Sequence, residues 1–262
     1  MKRISFALIL TFLAFLSFAQ KKEPLVILAA TYTLENGISF QMNEIPGGNF
    51  SISTTEVSQE LYEAVMEENP SYFTGEKMPV DTVNWYDCIC FCNKLSVLLG
   101  KEPVYSVNGS TNFEDWDYSP HGGSSITGEI TVNKKADGFR LPSVKEWEKA
   151  ASGGEDYKFA GSEELSEVAW YIKNSEYTSH EVAQKKPNAY GLYDMCGNLW
   201  EWCEDRLKED SVHFRIKKGG CYANPPELCE ISFSAHHYGS RYQPCYSYYT
   251  FGFRIAAGLS VD

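Results

Sequence analysis

Basic side chains are scarce in this chain: 23 lysines and arginines stand against 35 aspartates and glutamates in 262 residues, a formal charge of −12. Binding to nucleic-acid phosphates or to anionic lipid through a general surface needs clustered Lys and Arg, so nucleic acid is not an expected partner. Long apolar runs are equally scarce. The one that stands out, Ile4 to Leu16, follows Lys2 and Arg3 and precedes Ser17-Phe18-Ala19. It is too short for a membrane-spanning helix, and the small residues behind it have the layout of an export signal. Residues 1–19 are therefore expected to be a removed signal peptide, leaving a mature chain of charge −14 with no transmembrane segment. Cysteine is absent before Cys88, which leaves no lipid-bearing cysteine directly behind the signal. Tandem repeats, low-complexity tracts and proline-rich linkers are missing too, so one domain is the simplest organisation. No G-x-S-x-G motif supports a hydrolase elbow.

Eight cysteines are present, at 88, 90, 92, 196, 203, 221, 229 and 245. An exported chain permits disulfides, but the connectivity is not readable. Cys88, Cys90 and Cys92 lack the CxxC spacing of zinc ribbons and lie in an apolar helical stretch, where they are read as small buried hydrophobes.

Three helices announce themselves. Thr55 to Met66 sets Val57, Leu61, Ala64 and Val65 along one stripe. Asn84 opens a second as cap and Gly100 ends it. Ser143 and Glu146 have the spacing of a capping box for the third, which stops at Gly153-Gly154. Elsewhere the pattern is of short strands and long loops, notably 105–138 and 155–187; loops of that length usually carry function, ions or disulfides. The class is α+β, loop-rich, with few helices.

Four segments in order, "IPGGNF" at 45–50, "PVDTVNWYDCICFCNKLS" at 79–96, "GFRLPSVKEWEKAA" at 138–151 and "PNAYGLYDMCGNLWEWCED" at 187–205, with "KKGGCY" and "FGFRIA" closing, resemble the sulfatase-modifying-factor family of formylglycine-generating enzymes. That resemblance implies a variant of the C-type lectin fold over residues 45–262, behind a lead-in segment at 20–44. It also implies a structural calcium ion at "YDMCGNLWEW", held by Asp194 and Glu201 through side chains and by Gly197 and Leu199 through backbone oxygens; hard oxygen donors around a glycine turn suit that ion. Trp147, Trp200 and Trp202 are read as packing anchors.

Formylglycine-generating enzymes oxidise a substrate cysteine with copper held by two thiolates, a soft pair suited to Cu(I). Here the family positions fall on Asn224 and Cys229, so one thiol is missing. Cys229 with Cys221 remains as the alternative catalytic pair, converting a cysteine of sulfatase-type substrates with copper. What fills the region instead is aromatic: residues 221–254 hold six of the chain's 17 tyrosines, interleaved with serine, histidine and asparagine. Tyrosine offers a broad, rigid contact with a polar tip and serine adapts, the chemistry of a paratope. The segment resembles the diversified C-terminal region of the variable proteins of diversity-generating retroelements, treponemal type. The expected ligand-binding residues are Tyr222, His236, His237, Tyr238, Ser240, Tyr242, Gln243, Tyr246, Ser247, Tyr248 and Tyr249. Arg254 is expected to anchor the closing strand. The reading is of an exported monomer, secreted, periplasmic or cell-surface associated, that binds a protein or glycan.

Overall fold

The computed structural model describes residues 25–209, 212–233 and 241–259. The expected signal peptide, and His236, His237, Tyr238 and Ser240 of the expected ligand surface, lie outside the described residues.

A five-stranded antiparallel sheet has the order β1 (Ala29–Thr33), β2 (Ser39–Glu44), β3 (Phe50–Ser53), β11 (Ala256–Gly258), β6 (Phe139–Arg140). The segment expected as a lead-in, 20–44, thus supplies two strands of the sheet. The last strand is inserted between β3 and β6, pairing Ala256 with both Ile52 and Arg140, so the two ends of the chain meet in one sheet. A second sheet runs β10 (Phe251–Gly252), β7 (Trp200–Glu209), β8 (Val212–Lys218), β9 (Arg241–Tyr242). β10 is parallel to β7, whereas β8 and β9 are antiparallel to their neighbours. β4 (Tyr105–Val107) and β5 (Ile130–Val132) form a small hairpin-like pair in the long loop.

The helices follow their caps. α2 (Trp85–Leu98) starts from Asn84, whose side chain accepts from the amides of Tyr86 and Asp87 while Asp87 closes a capping box. Gly100, with φ 69°, follows its end. α3 (Val144–Ser152) has the expected box between Ser143 and Glu146 and a left-handed Gly153. α1 (Gln59–Met66) begins later than its apolar stripe suggests: Ser58 is the cap, and the Val57 amide and carbonyl are taken by Phe253 and Val80, so Val57 is held as extended backbone. α4 (Leu165–Val168) is a single turn in the loop. Cys88, Cys90 and Cys92 are all fully buried on α2, because that helix is packed on every side from Trp85 to Asn93. Trp147 and Trp202 are fully buried, as packing anchors should be. Among the described residues, no helix is long and apolar enough to cross a membrane.

Candidate functional site

The β7–β8 hairpin feeds into Gly219-Gly220, both with positive φ (93° and 74°). At Gly220 a Cβ would sit 2.7 Å from Cys229 Sγ and 2.8 Å from the Leu228 carbonyl oxygen, so glycine is required both by conformation and by close approach. Past the turn the chain descends into the protein. Tyr222 is 1% exposed, its ring edge-on to Phe73, its amide bonded to the Asn198 carbonyl and its own carbonyl accepting from Ser175 Oγ. This corrects the expectation that Tyr222 belongs to a solvent-facing surface. Its side chain is packing, with the hydroxyl buried and without a hydrogen-bond partner.

Asn224, where the resemblance leads one to expect a thiol, closes a turn: its side-chain oxygen accepts from the Cys221 amide at 2.9 Å, and its own amide donates to the Cys221 carbonyl. Cys221 and Cys229 are 2% and 0% exposed. Burial pushes the Cys221 thiol up to about 11 and that of Cys229 higher still. Both thiols of the alternative catalytic pair are thus buried, and Cys229 Sγ lies against Gly220.

After Cys229 the strand of backbone leading to residue 233 is clamped by Lys218. Its Nζ donates to Glu148 Oε1 and to the carbonyls of Ile231 and Phe233, all at 2.7–2.8 Å. The chain re-enters the sheet at β9, where Tyr242 pairs with Arg215. The loop that follows is bolted from below: Pro244 and Tyr248 carbonyls accept from the Trp85 and Thr82 amides, and the Thr250 carbonyl accepts from Trp200. With its backbone so held, the loop turns its aromatic rings outward. Tyr246 is 54% exposed and Tyr248 50%, with Tyr242, Ser247 and Tyr249 also exposed and Gln243 half-buried. Tyr248 and Tyr249 rings lie 4.1 Å apart with their hydroxyls hydrogen-bonded at 2.9 Å. Tyr72, from the loop after α1, joins them at 5.4 Å from Tyr249 and is 69% exposed. Nothing local marks Tyr72 in the sequence, since it lies far upstream and only the fold brings it to this rim.

Beneath the tyrosines is a cavity of about 430 Å³. Its walls include Trp200, Tyr242, Tyr248 and Phe251, and its lining includes Cys221 and Lys217. Lys217 also escaped the sequence reading, because a lysine in a strand next to a second lysine reads as a solvated edge, yet it is fully buried.

Of the expected calcium ligands, Glu201 and Asp194 both lie near Arg254. Glu201 is fully buried, and both its carboxylate oxygens are taken by Arg254, Nε and Nη2 each at 2.7 Å, with Trp147 Nε1 donating at 2.6 Å. Arg254 also donates to the carbonyls of Ser53 and Tyr193. It therefore anchors the closing strand, as expected. Asp194 accepts from the Ala183 amide through Oδ2, while Oδ1 is buried without a partner. Burial pushes its carboxyl up to about 6, and burial together with Asp194 and Glu201 raises Glu56, which itself accepts from Asn198 and Leu199. Of the expected ligands, Glu201 is thus bound by a guanidinium, while Asp194 keeps one buried carboxylate oxygen without a hydrogen-bond partner among the described residues. Among the described residues no three His, Cys, Asp or Glu side chains are grouped to hold a metal.

Comparison with known families matches residues 20–259 to the sulfatase-modifying factor enzyme 1-like domain. Among solved structures, the Treponema denticola variable protein 1 superposes with a TM-score of 0.75 at 35% identity, over 88% of this chain and 99% of that one. A protein of Paenibacillus barcinonensis named chaperone protein LppX is 34% identical over 218 residues, 74% of this chain and 77% of its own. The formylglycine-generating enzyme of Thermomonospora curvata is 35% identical over 88 residues, and the match spans only 29% of that enzyme.

Proposed function

From the premise that this chain belongs to the sulfatase-modifying factor enzyme 1-like domain family, we propose that it is a ligand-binding protein of that fold and not an oxidase. The observation that carries the reading is the rim of exposed tyrosines, 242, 246, 248 and 249, set on a backbone that the core holds by main-chain hydrogen bonds. Rigid aromatics with polar tips bind with little entropic cost. Similarity to the Treponema denticola variable protein 1 supports a diversified surface on this scaffold. The export signal read in residues 1–19 supports a secreted, periplasmic or cell-surface protein whose ligand is a protein or glycan.

The test is an array of glycans and of extracellular-matrix proteins, probed with wild type and with Tyr246→Ala/Tyr248→Ala. Loss of hot-spot tyrosines costs about 2 kcal/mol or more, so capture of at least one array member should fall by about thirtyfold while the melting temperature stays the same. Capture indifferent to both tyrosines, or oxygen consumption with a cysteine peptide and one equivalent of Cu(I), overturns the reading. Diversification is read in the flanking DNA: a reverse transcriptase and a near-copy of the segment encoding 221–254, with adenines at the Tyr and Ser codons. Their absence leaves a fixed binding surface.

A further inference from the structure

Lys217 lies in β8, and its amine sits among aromatic rings. Its side chain is fully buried. Nζ has no hydrogen-bond partner among the described residues and is surrounded by rings: Phe251 with its centroid at 3.2 Å, Tyr242 at 4.2 Å, Trp200 at 5.0 Å and Trp202 at 5.8 Å. The contrast with its neighbour is informative, because Lys218 is equally buried but has all three N–H groups satisfied. A buried donor without a partner costs free energy. Such a group lining a cavity, in an otherwise aromatic box, has the layout of a ligand pocket with one polar anchor.

We propose that Lys217 is a nucleophilic amine at the floor of the tyrosine-rimmed cavity, and that it captures aldehydes of aromatic or branched apolar body as a reversible imine. The proposal rests on the ligand-platform reading for the route by which such a molecule arrives. In the reaction the Nζ lone pair forms a bond to the carbonyl carbon as the C=O π pair moves onto oxygen. A proton passes from nitrogen to that oxygen, giving the carbinolamine. Protonation of the hydroxyl and its departure as water, with loss of the second N–H proton, leaves the C=N bond, so that amine and aldehyde give imine and water with no oxidant or reductant. Three features suit this. The amine is shielded, its side chain being fully buried. The walls are flat rings. Burial holds the amine well below the ordinary lysine range, the direction that favours the nucleophilic free-base form. The titratable groups facing it among the described residues are Cys221 and Tyr242. Burial keeps the Cys221 thiol protonated, so it is a proton donor at the cavity and no competing anion.

The experiment is reductive trapping of the full chain with benzaldehyde and sodium cyanoborohydride, read by intact mass and peptide mapping. The expected result is a single benzyl group at Lys217 at neutral pH. Its rate should be nearly flat across the neutral range, whereas the exposed Lys135 should react about tenfold faster per pH unit, as an ordinary lysine does. Lys217→Met should abolish the label. Should that variant not fold, the ratio of labelling at 217 to that at 135 in the wild type decides alone. Labelling of Lys217 no faster than Lys135, or none, overturns the proposal. The two readings fail separately: selective labelling with array capture indifferent to Tyr246 and Tyr248 sinks the platform, and tyrosine-dependent capture without selective labelling sinks the amine.

Discussion

Four buried ionisable groups meet at Arg254: the guanidinium itself, Glu201 in a two-point pair with it, and the carboxyls of Glu56 and Asp194. Removing one partner of such a pair leaves an uncompensated buried charge and costs about 3–5 kcal/mol. Arg254→Met should therefore lower stability by that amount in chemical denaturation. Asp194 shows the opposite sign. Its carboxyl is raised to about 6 in the folded protein against about 3.9 when unfolded, so the folded state holds the extra proton between those values. Its contribution is most favourable below pH 4 and is lost as pH rises toward 6, by on the order of 3 kcal/mol. Asp194→Asn should flatten that fall in a pH series of unfolding curves and be more stable than wild type at pH 7. Added calcium should leave the melting temperature of the wild type unchanged. A rise with calcium that vanishes in Asp194→Asn would show that the ion overrides the guanidinium at this turn.

Among the elements, the Gly219-Gly220 turn and the clamp of Lys218 decide how the chain leaves the sheet after β8. Any side chain at 220 must enter the left-handed region and displace Cys229 Sγ. Gly220→Ala should cost about 1–3 kcal/mol and loosen the loop, seen as faster amide exchange in peptides covering 228–233. The caps of α2 and α3 were legible in the sequence because a capping box is local chemistry: Asn84 with Asp87, and Ser143 with Glu146, lie three residues apart. The start of α1 was not legible. An apolar stripe does not record that the Val57 main chain is already bonded to Phe253 and Val80, partners far away in sequence.

For the molecule as a whole, the closing strand sits in the interior of the larger sheet, between β3 and β6. Deleting residues 256–262 should abolish the cooperative unfolding transition in calorimetry, since both neighbours lose their ladder partner and Ala256 and Ala257 leave the core. The tyrosine rim belongs to this scale as well. Tyr72 comes from the loop after α1, Tyr242 from β9 and Tyr249 from the loop before β10, and main-chain bonds from Thr82 and Trp85 hold that last loop in place.

The amino-acid sequence by itself determined the α+β class, the family, the boundaries of two helices, the presence of asparagine at 224 and the concentration of tyrosine near the C-terminus, because each is written in residue type, spacing or order. Only the tertiary structure decided which tyrosines face outward, that Tyr222 turns inward, that Glu201 meets Arg254, and that Lys217 is buried without a hydrogen-bond partner among the described residues. Burial and partnership are properties of what the rest of the chain brings to a side chain, and residues far apart in sequence meet only once the two sheets have closed around them.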